Sequence, residues 1–253
     1  MNPNLLTVYS SPFPKKRIGR QCDGGYVIAD IPDMKYDVLI AGGVSDDISF
    51  EEDFIRFQDQ NSNFTVHAYD GTVADIPASP FRNRFIFNQK NIGNEETDAL
   101  TNLHSLLELY SDKKVFVKMD IEGGEIPWIL SLNESHMNTM QQFVMEFHFP
   151  FGADEARVFE KINRTHLLVH FHPNNGCDHR IHNGVYMPNV FECTYLHKRH
   201  FTSGEAVLNT DYIPNDSVDA RNIGWKEEIY IGHPPFVHFE RFTRKLTSTS
   251  STS

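Results

Sequence analysis

Cysteine is scarce in this chain of 253 residues: Cys22, Cys177 and Cys193 stand at wide, unmatched spacings. Three such residues make no disulfide framework, and a reduced, cytoplasmic compartment is the expectation. They also lack the C-x₂-C pairing of a zinc site, so the 13 histidines are read as ordinary surface or loop residues for the most part. Long apolar runs are missing too. None approaches the ~20 residues of a membrane span. The start, Met-Asn-Pro-Asn-Leu-Leu-Thr-Val-Tyr, has no basic stretch leading into an apolar one and is not read as a signal peptide. Positive charge is in deficit, with 23 Lys and Arg against 34 Asp and Glu and a formal net charge of −11. A sequence-independent nucleic-acid binder needs a basic face to displace counterions, so nucleic acid is not an expected partner. Lys15-Lys16-Arg17 with Arg20 is a local basic spot or a solvated loop end.

What the chain does have is core material: 40% hydrophobic residues, 20 of the total being Phe. The segment Asp37–Phe54 opens as an apolar run (Val38, Leu39, Ile40) and turns on Gly42, Gly43 and Ser45. It then places Phe50, Phe54 and Phe57 at helical spacing, giving a strand, a tight turn and a helix. Further strands are expected over 64–70, 85–89, 114–120, 142–148, 167–172 and 190–196. Helical patterns fall over 97–110, after Ile121, and after Asp154, which suits an N-cap. This alternation predicts a mostly parallel α/β sheet of seven strands with helices on both faces. The last two strands, with only a Gly/Asn/His-rich loop between them, predict an antiparallel edge. One domain over 1–246 is expected, with 1–35 as a cover across the top or edge of the sheet. The Ser/Thr tail 247–253 is set aside as disordered.

Ligands in open α/β sheets bind outside the carboxyl ends of the strands. Asp70, Asp120, Glu146 and His148 all fall at such ends. Asp70, near the ~20-residue spacing after the glycine turn, suits the hydroxyls of a ribose, or else it caps a turn. The turn at Gly43-Val-Ser45 has too few glycines for a pyrophosphate, and Asp46, Asp47, Glu51 and Glu52 would repel one. An adenosyl ligand with a positive centre fits better than NAD, and S-adenosylmethionine is such a ligand.

Val117-Lys-Met-Asp-Ile-Glu-Gly-Gly-Glu125 resembles the K-x-D-x-E-G-x-E signature of the FkbM-type methyltransferases, a branch of the class I S-adenosylmethionine-dependent enzymes. Arg20–Tyr26, Gly43–Glu51, Val169–Asn175 and Pro188–Tyr195 are similar to the family's other segments, in the same order. The resemblance implies a Rossmann-like methyltransferase fold and O-methylation of a sugar hydroxyl, in a nucleotide-sugar or glycan. It places Gly43, Ser45, Asp46, Glu51, Asp70 and Arg20 at the cofactor, with Ser45 where a second glycine is usual, and Tyr26 in the pocket.

A sugar hydroxyl is far from acidic at pH 7, so transfer needs a metal ion or a placed base. Asp120 and Glu146 belong to strands expected about 4.8 Å apart, and His148 shares the strand face of Glu146. These three are the candidate catalytic residues and the candidate ligands of Mg²⁺ or Mn²⁺. A metal-free version with Asp120 or His148 as base, and a purely structural role, stay open beside it. His170, His172 and Asn174 are expected to hydrogen-bond the acceptor, a structural role for the two histidines being the alternative, with 176–189 and 205–225 shaping its pocket. Trp128, Phe147 and Tyr195 are expected in the core. A metal-dependent hydrolase, a NAD-dependent oxidoreductase and a non-catalytic nucleotide- or sugar-binding module are the alternatives.

Overall fold

The computed structural model describes residues 1–58, 63–201 and 206–239; the 247–253 tail lies outside them. Seven strands form the central sheet: β1 (Val38–Gly42), β2 (Thr65–Tyr69), β3 (Phe85–Asn88), β4 (Val115–Met119), β5 (Met140–His148), β6 (His166–Pro173) and β7 (Val190–His197). Their order is β6-β7-β5-β4-β1-β2-β3. β1 and β4 are buried along their whole length, as strands covered on both faces must be, and so read as unbroken apolar runs.

Only β7 is antiparallel, pairing with both β5 and β6. The last two strands thus form the expected antiparallel edge, with β6 outermost and the reversed strand β7 one place in. The reason is the connection: residues 179–188 form a hairpin (His179–His182 with Val185–Pro188) that turns the chain back beside β6. Its turn, Asn183-Gly184, has positive φ at both residues, the geometry of a type I′ hairpin. A hairpin, not a plain loop, occupies that stretch.

One face carries α2 (His104–Leu109), α3 (Glu125–Ser131), α4 (Glu134–Thr139) and α5 (Ala153–Thr165), packed over Val117, Phe143 and Phe147. Trp128, Phe147 and Tyr195 are in this core, each fully buried. The other face carries α1 (Ser49–Phe57), whose Phe54 ring lies 4.5 Å from Phe116 of β4. Beside α1 an N-terminal hairpin, Lys15–Ile18 with Tyr26–Ala29, covers β5 and β7. The segment 1–35 thus runs along the edge, where Val8 bridges Leu168 of β6, and continues over this face with the hairpin. The Gln142 side chain fixes it there, accepting from Ala29 N–H at 2.6 Å and donating to Ala29 C=O at 3.0 Å.

Two helix boundaries differ from the sequence pattern. The stripe from Leu100 to Tyr110 is helical only from His104, because Leu103 has φ +61° and Leu100–Thr101 pairs with Asn91–Ile92 instead. Gly152, not Asp154, caps α5; Asp154 lies in its first turn and pairs with Arg157 at 3.0 Å. No described helix is long and apolar enough to cross a membrane, and all three cysteines are free.

Candidate active site

The site begins where β1 ends. Gly43 has φ +70°, and a Cβ there would lie 1.6 Å from the Asp120 carbonyl oxygen. Only glycine lets the turn pass this close to the end of β4. Asp120 N–H in turn donates to Gly42 C=O at 3.2 Å. Two residues on, Ser45 has φ +43° and donates its N–H to Asp70 Oδ2 at 2.8 Å. The other Asp70 oxygen accepts from Thr72 N–H at 2.7 Å. Burial pushes the Asp70 pKa up, but the hydrogen bonds from Thr72, Ser45 and Val73 outweigh it and hold it below the usual range. A cleft of about 260 Å³ opens here, its lining including Gly43, Ser45, Asp70, Asn91, Ile92 and Asp120.

Three of the residues assigned to a cofactor thus line this cleft, and three do not. Asp46 is exposed on the turn, outside the lining. Glu51 stands three and four residues before Phe54 and Ile55, so helical spacing carries it inward with them. It is fully buried, neither carboxyl oxygen has a partner, and burial raises its pKa against the opposing pull of Lys118. Arg20 is committed to Asp47 at 3.0 Å. Lys118, buried behind the turn, donates to Gly43 C=O at 2.9 Å.

Asp120 leads from this cleft to a second group. Its Oδ2 accepts from the buried Tyr26 hydroxyl at 2.9 Å, so Tyr26 from the N-terminal hairpin orients the carboxylate instead of facing open space. Asp120 Oδ1 is buried without a hydrogen-bond partner. His148 Nε2 lies 3.9 Å from that oxygen and 3.4 Å from Glu122. On its other side, His148 Nδ1 meets Glu125 Oε1 at 3.2 Å. Burial opposes protonation of His148, but Glu125, with Asp120 and Glu122, outweighs it and raises its pKa. Glu125 also accepts from Ile121 and Gly123 N–H, tying the loop after β4 to the helix that follows.

Asp120, Glu146 and His148 each offer one ligand atom, all within 4.8 Å of one another. The predicted trio is brought together. A small divalent cation that prefers oxygen suits this set, and the orphaned Asp120 Oδ1 is the observation in its favour. Burial, then the charges of Asp120 and Glu192, push the Glu146 pKa well up. Three acidic groups so placed repel one another unless a proton or a cation intervenes.

The expected acceptor contacts divide. Asn174 reaches the site, its amide donating to Glu146 Oε1 at 2.7 Å. His170 and His172 do not face a cleft. Residues 213–228 supply two of the three acids that meet them, and β7 the third: His170 meets Asp219 at 2.8 Å. Fully buried His172 meets Glu192 at 3.2 Å and Glu228 at 3.8 Å. Burial works against the His172 charge, but Glu192 and Glu228 raise its pKa to about 10.

Sequence reasoning passed over Glu192, Lys118, Asp23 and Asn222, of which the Asn222 amide donates to Glu192 Oε1 at 2.6 Å and to Asp23 Oδ1 at 3.2 Å. Glu192 interrupts an apolar strand and stands directly opposite Glu146 in register, a signal that strand parity makes available. Asn222 is brought in by a loop and had no such signal. No family model matches the sequence, and no curated protein matches it.

Proposed function

We propose that the chain is an S-adenosylmethionine-dependent O-methyltransferase of Rossmann-like fold that acts on a sugar hydroxyl, assisted by Mg²⁺ or Mn²⁺ at Asp120, Glu146 and His148. The observation that carries this reading is the shared wall: Asp120 belongs both to the cleft beside Gly43, Ser45 and Asp70 and to the acid-histidine group. Methyl donor and activated hydroxyl need such adjacency, because displacement at the sulfonium requires the two reactants in line. The strand order, reversing between β1 and β4, agrees with ligand binding at a switch point of a doubly wound sheet.

In this reading the Asp70 carboxylate, ionised and with one lone pair of Oδ2 still open, accepts from a ribose hydroxyl. The acidic turn favours a sulfonium and ammonium over a phosphate. Tyr26 fixes the Asp120 carboxylate. Glu125 accepts from His148 Nδ1–H, which leaves the Nε2 lone pair directed toward Asp120. A bound divalent ion supplies Lewis acidity that lowers the pKa of the acceptor hydroxyl. Asp120, whose carboxylate keeps free lone pairs, then remains the group able to receive the proton.

The test is transfer of an isotope-labelled methyl group from S-adenosylmethionine to a panel of nucleotide-sugars, run before and after exhaustive chelation. The reading expects transfer that chelation abolishes and Mn²⁺ restores. Turnover unimpaired by chelation removes the metal from the proposal.

A further inference from the structure

We infer that the acceptor is an anionic saccharide, held beside His148 by Phe149 and Arg180. Its ring lies on Phe149, and a phosphate or carboxylate of the same molecule meets the Arg180 guanidinium. The saccharide rests on the functional reading above; the negative charge and these two residues go beyond it.

Phe149 follows His148 directly, past the end of β5, and so stands at the rim of the candidate site. Its φ is +49°, a region that a bulky side chain rarely enters and that Asn or Gly occupies with less strain. Its side chain is also 56% exposed, so core packing does not offset the strain. An aromatic ring kept in the open there offers a flat apolar face to the C–H side of a sugar ring.

A second observation concerns charge. Arg180, on the hairpin after β6, places its guanidinium carbon 5.9 Å from the centre of the Phe149 ring and 4.5 Å from that of Phe151. Its Nε donates to Asn189 Oδ1 at 2.5 Å, and Asn189 C=O accepts from Phe149 N–H at 2.8 Å. Asn189 thereby fixes the two residues relative to each other. Among the described residues neither Nη group of Arg180 has a hydrogen-bond partner. No carboxylate among them pairs with it either, although 34 Asp and Glu face 23 Lys and Arg in the chain. A guanidinium oriented through Nε, set against aromatic rings and open at both Nη groups, is a fork for two oxygens of a phosphate or carboxylate.

Binding tests this without turnover. The full chain in Mg²⁺ is titrated calorimetrically with 1-phosphates, uridine diphosphate sugars, uronic acids and neutral methyl glycosides of glucose, galactose and mannose. An anionic sugar should bind about tenfold or more tightly than the neutral glycoside of the same hexose, and the phosphate and uronate arms tell which anion is taken. Arg180→Gln should abolish that preference. Phe149→Asn should weaken the preferred sugar about tenfold or more while the melting temperature holds, because Asn accepts the positive φ. Thermal melts on both variants separate lost binding from lost folding. Equal affinity for neutral and anionic sugars overturns the inference. So does a preference that survives Arg180→Gln, which would give the anion to the metal ion, and so does unchanged binding in Phe149→Asn. Protein that binds S-adenosylhomocysteine but no saccharide overturns it and spares the methyl-donor site. Sugars bound as expected without any S-adenosylhomocysteine binding leave it standing and remove the methyltransferase reading.

Discussion

Gly43 shows how much one residue can decide. Its positive φ and its contact with the Asp120 carbonyl leave no room for a methyl group. Gly43→Ala is expected to destabilise by about 2–4 kcal/mol, since it combines left-handed strain with overpacking against backbone; a denaturant midpoint unchanged from wild type would contradict this. Glu125 is the second such residue. Its carboxylate is the foremost force raising the His148 pKa against burial. Glu125→Gln should therefore lower that pKa, read from the imidazole resonances in an NMR titration, and an unmoved titration refutes the assignment. The metal trio was legible at this scale because strand ends and strand parity alone bring Asp120, Glu146 and His148 together. Glu51 was misread because its acidity drew attention away from its position, which is on the same helical face as Phe54 and Ile55. Asp23 and Asn222 were illegible: loops bring them to the site, and no periodicity encodes where a loop returns.

At the scale of elements, each expected sheet strand is present, because buried parallel strands are written as apolar runs that few other structures need. The exceptions have local causes. A left-handed Leu103 cuts the helix after residue 100 short, and periodicity does not register a single φ. Asn183-Gly184, a sequence signal for a hairpin, was passed over among the glycines and histidines around it. The N-terminal hairpin is the element the site depends on most, since it supplies both Tyr26 and Asp23. Gln142 anchors it, bonding to both backbone groups of Ala29 and donating to the Tyr36 hydroxyl at 2.9 Å. Gln142→Leu keeps the volume roughly constant but leaves the N–H and C=O of Ala29 without the Gln142 partner in a buried place. A loss of about 3 kcal/mol is expected, seen as a lower urea midpoint at unchanged slope. A stability equal to wild type would mean that the hairpin is held by other contacts.

For the whole molecule the excess of acid is concentrated, in part, under this hairpin, and that gives the metal-free protein a pH dependence of definite sign. His172 has its pKa raised from 6.5 to about 10. The stability it contributes is complete below 6.5, declines as pH rises beyond that, and is lost through about 10. Glu146 and Asp23, with raised pKa values, also favour the folded state less once they must ionise. Asp219 works at the other end. Burial pushes its pKa up, but His170 and then His172 outweigh it and hold it at about 2, so its contribution is present above 3.8 and lost as pH falls toward 2. The metal-free chain should therefore lose stability between pH 7 and 10. His172→Gln should flatten that decline, and a wild-type profile level across the interval would contradict it.

The central claim is that the cleft beside Gly43 binds the methyl donor while the chemistry belongs to Asp120. Calorimetric titration with S-adenosylhomocysteine tests this most directly, on wild type, Asp70→Ala and Asp120→Asn. The account predicts one site per chain, weakened at least tenfold in Asp70→Ala by the loss of about 1.4 kcal/mol or more, and nearly unchanged in Asp120→Asn. Wild-type protein that takes up no S-adenosylhomocysteine would contradict it.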